Sequence, residues 1–309
     1  MTDYRLLNTG PSTAEARPAI SVGESVIDVQ EAVADLKLTG FPAHSTLAIL
    51  EKWDAAEPAL EKIADALAKG HPKAGKLAEV KLQAPILYPW AIFNAGSNYP
   101  EHQQEMGQKE ATDKSVTQPY MFLKSPAHCV IGPGQEVKIP HTTKQVDWEG
   151  EFAVVIGRYG RNLTRASARS IVAGYTIFND LSARDLGARQ DWPRFRTDWF
   201  AHKSFETSGP LGPWIVPAKQ IKDPYECEIE TWVNNERMQK AKVGEMIFNI
   251  EEQIEYISQR LTLRPGDVIS TGTPSGVGRP RGIFLKPGDT VRITISGIGE
   301  LKNPVVQGI

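Results

Sequence analysis

The chain has 309 residues and carries 35 lysines and arginines against 37 aspartates and glutamates, a formal net charge of −2. This balance provides no overall basic field for nucleic acid or an acidic membrane surface. No apolar run approaches the roughly 18 residues that a membrane helix needs. Two distant cysteines exclude a disulfide scaffold or a paired-cysteine zinc site. The N-terminus lacks a basic stretch followed by an apolar one, so we expect a cytoplasmic enzyme or binding protein.

The first 85 residues are predicted to form a small N-terminal α+β domain. Short β-like runs occur around Arg17–Val29, and segments rich in alanine, leucine and lysine follow with helical patterning. A stretch with prolines and lysines, Gly70–Pro89, is predicted to lead into the rest of the chain. The predicted helices are Ile27–Leu36, Ser45–Trp53 and Ala56–Lys69.

Residues 86–309 are predicted to form a second, larger domain that is richer in strands and turns. Two similar turns, Arg264–Asp267 and Lys286–Asp289, each place a proline before a glycine that supplies a positive φ. Strands and helices do not alternate regularly, so the pattern indicates an α+β fold with mostly antiparallel strands. No phosphate-binding glycine motif occurs, which argues against nucleotide binding. The other predicted elements are a strand within Pro140–Gly157, strands at Gly174–Asn179, Val268–Ser270 and Thr290–Ile295, and a helix at Ile250–Leu261.

The segment Asp147–Ile156 is an apolar strand that begins with acidic residues. Because side chains alternate along a strand, Trp148 and Phe152 face one side, while Glu149 and Glu151 share the other with Cα atoms about 6.5–7 Å apart. Water, a proton or a cation would relieve the repulsion between these two carboxylates. The alternative is an edge strand whose acidic face is solvated, since edge strands often carry charge.

A third carboxylate, Asp180, follows the predicted strand Gly174–Asn179. A strand end is a common position for a ligand. The alternative is a helix cap, because Ser182 and Asp185 have roughly the spacing of a capping box.

Six separated motifs, all in the expected order, resemble the fumarylacetoacetate hydrolase family over residues 85–305. The most specific is a pair of glutamates in a strand followed about thirty residues later by an aspartate ahead of Ser-Ala-Arg-Asp. The six are Asn98–Met106, Phe122–Pro126, Glu149 with Glu151, Asn179–Asp185, His202–Thr207 and Thr271–Gly278.

The resemblance implies the family's mixed β-roll core, a homodimer, and a metal held by Glu149, Glu151 and Asp180. The expected ion is Mg²⁺, with Mn²⁺ or Ca²⁺ as alternatives. An all-carboxylate ligand set agrees with a hard cation rather than with zinc.

The resemblance also implies roles for residues outside the metal site. His102 and Glu105 match the proton-transfer pair of the family's smaller members, and their i,i+3 spacing places them on one helix face. Lys203 matches a lysine near the substrate's oxygens, and Arg184 and Thr273 match substrate-facing residues. Without the family pattern, His102 and Glu105 would be interpreted as a surface i,i+3 pair and Lys203 as a solvated lysine. Arg184 would be interpreted as an ion-pair partner of Asp180 or Asp185, and Thr273 as a turn hydroxyl.

The sequence departs from the larger members of the family after Arg184. Gly187 and Asp191 stand where glutamine and tyrosine contacts are expected, so the small acylpyruvase-like branch fits better. Arg194 and Arg196 are candidates for binding a distal carboxylate by bidentate hydrogen bonds, or else are surface or subunit-interface residues.

These observations predict a metal-dependent hydrolase that cleaves a carbon–carbon bond of an acylpyruvate such as fumarylpyruvate or maleylpyruvate. A decarboxylase of oxaloacetate type or an isomerase of an unsaturated oxo acid would use the same site. A non-catalytic ligand-binding protein is the alternative from a different class. The sequence leaves open the acyl group, the metal, the oligomer size and the role of residues 1–85.

Overall fold

The structure is a computed structural model that describes residues 2–110, 112–192 and 194–308. The predicted α+β class is confirmed, because strands dominate, helices are few and mostly short, and the sheets of the described part do not close into a barrel. None of the helices in these three ranges is both long enough and apolar enough to span a bilayer.

The N-terminal segment contains strands and helices close to those predicted. Asp28 accepts a hydrogen bond from the Glu31 amide and Ser45 from the Ala48 amide, which fixes the starts of the first two helices. The third helix begins earlier than predicted, at Trp53. The elements are β1 (Arg5–Thr9), β2 (Arg17–Val22), β3 (Ser25–Asp28), α1 (Val29–Asp35), α2 (Thr46–Glu51), α3 (Trp53–Ala68), β4 (Gly75–Lys76) and β5 (Leu82–Gln83).

The middle of the chain carries the acidic strand and most of the motifs described above. Its long strands are antiparallel neighbours, and its helices are single short turns. The elements are β6 (Ile92–Ala95), α4 (Pro100–Glu105), β7 (Met121–Lys124), α5 (Pro126–Cys129), β8 (Val130–Ile131), β9 (Val137–Ile139), β10 (Val146–Asp147), β11 (Gly150–Ile156), α6 (Arg165–Ala168), β12 (Val172–Asn179), β13 (Ser182–Ala183) and α7 (Trp199–Lys203).

The C-terminal part completes the sheets. The predicted helix stops at Ser258, three residues before Leu261, which is therefore exposed instead of sharing the buried face of Ile250, Ile254 and Ile257. The elements are β14 (Gly209–Pro217), β15 (Glu228–Val233), β16 (Glu236–Lys242), α8 (Ile250–Ser258), β17 (Val268–Ser270), β18 (Thr290–Ile295) and β19 (Gly299–Gln307).

Three sheets make up the fold. The large sheet has the order β4-β3-β2-β1-β14-β12-β11-β17-β6-β7, with β5 added to β1 and β8 added to β14. A second sheet has the order β16-β15-β18-β19-β9, and β10 pairs with β13 in a two-stranded ribbon. Most pairs are antiparallel, as predicted, while β17 with β6, β14 with β8 and β19 with β9 are parallel.

Strand β11 lies in the centre of the large sheet and is buried on both faces. Phe152 and Val154 point into the core shared with the five-stranded sheet. Ala153 and Val155 point into a second core, which they share with Trp53 and other residues of the N-terminal helices. The alternative of an edge strand with a solvated acidic face is therefore wrong, since β11 is hydrogen-bonded on one side to β12 and on the other to β17.

Residues 1–85 extend the large sheet rather than forming a separate sheet. Strand β1 pairs with β14 at Leu6 and Ile215, and helices α1–α3 cover the second core. Gly157 marks the close approach of α3, because a Cβ atom there would lie 3.1 Å from Cγ of Trp53. The domain boundary at residue 85 stays a prediction.

The two predicted proline–glycine turns have the same construction. In each, the aspartate side chain accepts a hydrogen bond from the amide three residues earlier: Asp267 from Arg264 at 2.7 Å, and Asp289 from Lys286 at 2.9 Å. The glycines have φ values of +90° at Gly266 and +94° at Gly288. The surroundings differ, because a Cβ atom on Gly266 would overlap Leu47 of α2, whereas one on Gly288 would meet no atom within 4 Å.

Alanine substitutions at these two glycines are a matched pair. We expect Gly288→Ala to lower the free energy of unfolding by about 1–2 kcal/mol, because an L-residue is strained at that φ. Gly266→Ala should cost more, since the overlap with Leu47 adds to the same strain. Urea unfolding of both variants measures the difference. Equal losses would mean that the contact between α2 and this turn is loose.

Candidate metal and acid–base site

Three carboxylates converge because of the register between two neighbouring strands. Gly150 of β11 pairs with Asn179 of β12, and the Asp180 amide then donates to the Glu149 carbonyl at 2.9 Å. The side chains of Glu149, Glu151 and Asp180 each offer an oxygen, and these oxygens lie within 4.8 Å of one another. All three residues are buried, with exposures of 5%, 1% and 1%. The sequence-predicted ligands thus form one compact group of hard oxygen donors.

Buried cations surround two of these carboxylates. Lys203 Nζ lies 2.7 Å from Glu149 Oε2 and 2.6 Å from Asp180 Oδ2. Lys124 Nζ lies 2.8 Å from the other oxygen of Asp180, and Arg184 Nη2 lies 2.6 Å from Glu149 Oε1. Burial by itself raises the pKa of Glu149, but Lys203 and Arg184 outweigh it and hold that pKa below its ordinary value. Glu149 is therefore ionised.

Glu151 has no cationic partner among the described residues. Its carboxylate accepts hydrogen bonds from the Ser270 hydroxyl and from the Gly272 amide, the latter at 2.8 Å. Burial raises the pKa of Glu151 well above its ordinary value, and the negative charges of Asp180 and Glu149 raise it further. A divalent cation among the three carboxylates would supply the missing positive charge. The donor set therefore fits the hard cation expected from the sequence.

Asp147 connects this group to the rest of the site. Its carboxylate accepts hydrogen bonds from the Gly278 amide at 2.7 Å, the Arg279 amide at 3.1 Å and Arg184 Nε at 2.8 Å. Arg184 therefore bridges Asp147 and Glu149. The alternative in which Arg184 forms an ion pair with Asp180 or Asp185 is therefore wrong. A buried carboxylate with this many donors is a structural anchor for the strand and the glycine-containing loop.

The alternative interpretation of Asp180 as a helix cap is also wrong. Residues 182–183 form strand β13, and only a single 3₁₀ turn follows. The Ser182 hydroxyl donates to Glu149 Oε1 at 3.1 Å, and Asp185 accepts from the Thr143 hydroxyl and the Lys144 amide. Their side chains are therefore used for contacts across the ribbon rather than for capping a helix.

His102 and Glu105 lie on helix α4, which begins with Pro100. His102 Nδ1 is 2.7 Å from Glu105 Oε1, and the other oxygen of Glu105 accepts from the Gly276 amide at 2.9 Å. His102 is 5% exposed, so this pair is not a solvated surface contact. Its second ring nitrogen, Nε2, has no hydrogen-bond partner in the described part of the chain.

A cavity of about 330 Å³ lies between His102 and two of the carboxylates, Glu149 and Glu151. Its wall includes His102, Glu149 and Glu151, together with Arg184, Lys203 and Thr273. Phe122 supports Lys203, whose Nζ lies 5.0 Å from the centre of the phenyl ring. The volume suits a small organic acid.

The other predicted substrate residues are placed differently from one another. The Thr273 hydroxyl donates to the Gly150 carbonyl at 3.0 Å and accepts from Gln239 at 2.8 Å. Arg196 is exposed and lines the cavity, whereas Arg194 is exposed and does not line it. Of the two candidate arginines, only Arg196 is in position to meet a ligand there.

Sequence reasoning assigned no role to several residues of this site. Lys124 carried a detectable signal, because it is a charged residue in the short apolar strand β7. Asp147 was visible as the first acid of the segment leading into β11. Arg279 and His202 line the cavity; His202 is the first residue of the motif His202–Thr207 but received no role, and no local pattern distinguishes Arg279.

Comparison with known proteins places these residues in a family context. The sequence matches the family described as "Fumarylacetoacetate (FAA) hydrolase C-terminal" over residues 91–306. One relative is oxaloacetate tautomerase YisK of Bacillus subtilis, 39% identical over 293 residues, which cover 91% of this chain and 93% of that protein.

Solved structures give a second comparison. A maleylpyruvate hydrolase of Sphingobium sp. SYK-6, in complex with manganese(II) and pyruvate, has a TM-score of 0.76 at 28% identity, covering 99% of this chain and 100% of that chain. A 2-hydroxyhepta-2,4-diene-1,7-dioate isomerase from Mycobacterium marinum has a TM-score of 0.70 at 32% identity and covers 98% of both chains.

Removal of one carboxylate charge tests the ligand set. We expect Glu151→Gln to weaken Mn²⁺ binding by on the order of 100-fold or more, because it removes an anionic donor that has no cationic neighbour. Asp185→Asn is the matched control, since it removes the same charge at an exposed position outside the group. Isothermal titration with Mn²⁺ measures both. Equal affinities for Glu151→Gln and wild type would exclude Glu151 as a ligand.

Proposed function

This chain belongs to the fumarylacetoacetate hydrolase family, and we propose that it is a divalent-metal-dependent enzyme that interconverts the enol and keto forms of a small oxo-diacid of the oxaloacetate type. The observation that carries the proposal is the position of His102, which lines the same cavity as Glu149 and Glu151 and is hydrogen-bonded to Glu105. A buried histidine oriented by a carboxylate is a proton carrier. Keto–enol conversion requires a proton to leave one atom of the substrate and another to reach the neighbouring atom.

Glu149, Glu151 and Asp180 would hold the cation, and Mg²⁺ or Mn²⁺ fits three hard oxygen donors. When bound, such an ion stabilises negative charge that develops on a substrate oxygen. Lys203 supports this arrangement by bridging the Glu149 and Asp180 carboxylates. Burial lowers the pKa of Lys203, but Asp180 and Glu149 outweigh burial and raise it, so the ammonium group stays charged.

The hydrogen bonds of the pair assign the proton positions. Glu105 accepts from Nδ1 of His102, so Nδ1 carries the ring proton and Nε2 is the atom that can accept one. The Gly276 amide holds the second oxygen of Glu105 and fixes its orientation. His102 Nε2 is thereby prepared to take a proton from the substrate carbon or hydroxyl and to return it to the other position.

Two arginines favour a substrate with a second carboxylate. Arg196 and Arg279 both line the cavity, are exposed, and form no ion pair within the described residues. The other cations, Arg184, Lys124 and Lys203, are already paired with buried carboxylates. A guanidinium without a partner is well suited to bind a carboxylate.

Hydrolysis of a carbon–carbon bond in an acylpyruvate, the reaction predicted from the sequence, is the second candidate. The likeness to a maleylpyruvate hydrolase over 99% of this chain favours it. In that reaction His102 would activate a water molecule instead of moving a substrate proton. We place tautomerisation first because the tautomerase relative is 39% identical over 93% of its own length. The homodimer and the cytoplasmic location stay predictions.

Product analysis separates the two reactions. Wild-type protein with Mg²⁺ should accelerate the loss of the enol form of oxaloacetate, followed by its ultraviolet absorbance, and a chelator should abolish the effect. Nuclear magnetic resonance should detect no pyruvate from maleylpyruvate or fumarylpyruvate. Chelator-sensitive release of pyruvate from either acid, without acceleration of the enol reaction, would contradict the proposal and support the hydrolase.

Substitution of the pair tests its role. We expect His102→Asn and Glu105→Gln each to lower the rate of enol conversion by about 10²- to 10⁴-fold, the usual contribution of general acid–base catalysis. Glu101→Gln, an exposed change on the same helix, is the control and should keep the wild-type rate. Melting temperatures measured alongside verify folding. Wild-type turnover in a folded His102→Asn variant would exclude the pair as the proton carrier.

A further inference from the structure

His202 is a buried histidine on the wall of the same cavity, outside the proton-transfer pair. It lies on α7 directly before Lys203 and is 7% exposed. Its ring stacks on Trp199, with centroids 5.9 Å apart and an interplanar angle of 29°. The ring also lies against Gly187. It therefore belongs to the same side of the cavity as Gly187 and Trp199, and Arg196 lines this cavity as well.

Neither ring nitrogen of His202 has a hydrogen-bond partner in the described part of the chain, although both are buried. A buried polar atom without a partner is destabilising, and such atoms are rare in folded proteins. A phenyl ring would fill the same space and stack on Trp199 without this cost. The imidazole is therefore expected to find its hydrogen bond with a molecule that enters the cavity.

The surroundings of His202 keep the ring neutral and attract anions. Burial lowers its pKa to about 3, and the positive charges of Lys203 and Arg184 act in the same direction. At neutral pH the ring then has one N–H donor and one acceptor nitrogen. Arg196, which forms no ion pair among the described residues, lines the same cavity, so its guanidinium and the His202 N–H group are both suited to donate to a carboxylate there.

The backbone around His202 limits the ring's position. A Cβ atom at Gly187 would lie 3.2 Å from Nδ1, so a larger residue there would crowd the ring. Asp198 caps α7 by accepting from the Ala201 amide at 2.9 Å, and Arg189 holds Asp198 at 3.2 Å. The torsion that turns the imidazole has a broad energy well, so a small rotation can bring a nitrogen toward a ligand.

We propose that His202 is a specificity-determining residue that hydrogen-bonds the second carboxylate of the bound oxo-diacid, together with Arg196. This inference rests on the proposed function, because it concerns the distal end of the same substrate. This hydrogen bond would distinguish oxo-diacids from oxo-monocarboxylic acids such as pyruvate, which have no second carboxylate to contact the imidazole.

Two variants and two ligands test the inference in the full-length, Mn²⁺-loaded protein. His202→Phe keeps an aromatic ring against Trp199 and removes both nitrogens, whereas His202→Gln keeps a side chain that can donate a hydrogen bond. Pyruvate and 2-oxoglutarate share the 2-oxo acid end, and only the second has a distal carboxylate. Isothermal titration measures their dissociation constants, and thermal unfolding verifies that each variant is folded.

We expect His202→Phe to weaken 2-oxoglutarate binding about tenfold or more, the usual effect of losing a hydrogen bond to a charged group, and to change pyruvate binding less than threefold. His202→Gln should stay within about threefold of wild type for both ligands. The phenylalanine variant should melt at or above the wild-type temperature, because it removes two buried unpaired nitrogens.

The outcomes distinguish this inference from the proposed function. If the wild-type protein binds both ligands and His202→Phe binds 2-oxoglutarate with unchanged affinity, the role of His202 is overturned. The proposed function would not be affected by that result. Equal weakening of both ligands would also overturn it, since the effect would then be a general change of the cavity. Wild-type protein that binds neither ligand would overturn the proposed function and this inference together.

Discussion

The site depends on a balance of buried charge. Four buried carboxyl groups, those of Asp147, Glu149, Glu151 and Asp180, lie among only three buried cations, two lysines and one arginine. Glu151 forms no ion pair with a cation among the described residues, and burial, followed by the negative charges of Asp180 and Glu149, raises its pKa. Burying a charge without a partner is strongly unfavourable, so the arrangement is stable with a proton or a metal ion at this position. A divalent cation at this position would offset the excess of buried negative charge.

The rest of the fold holds these groups where the balance requires them. Strand β11 has a core on each face, so the backbone that carries Glu151 is held in place. The glycine-containing loop at residues 272–279 donates backbone amides to three separate carboxylates: Gly272 to Glu151, Gly276 to Glu105, and Gly278 with Arg279 to Asp147. One loop thereby links the candidate metal ligand Glu151, the His102–Glu105 pair and the Asp147 anchor.

The sequence was informative where chemistry is local. The apolar run at Phe152–Ile156 and the short spacing of the acids located the strand, and the family resemblance, rather than the i,i+3 spacing alone, pointed to the His102–Glu105 pair. It was uninformative where chemistry depends on distant strands that pair. The resemblance grouped Asp180 with Glu149, and the register of β11 with β12 is the physical reason, but no sequence pattern indicated that Lys124 pairs with Asp180. The solvated-edge alternative failed because Val155 and its neighbours are apolar on both faces, a pattern typical of a strand buried on both sides.

We propose that Glu149, Glu151 and Asp180 bind one divalent cation within reach of the His102–Glu105 pair. Anomalous X-ray diffraction from crystals grown with Mn²⁺ locates such an ion. We expect one manganese peak among the three carboxylates, with oxygen ligands at about 2.0–2.3 Å. A peak at a different position, or none at a saturating concentration of Mn²⁺, would contradict it. A structure with the Lys203 ammonium still in ion-pair contact with Glu149 and Asp180, and no metal, would assign the acids to a purely structural ion-pair network.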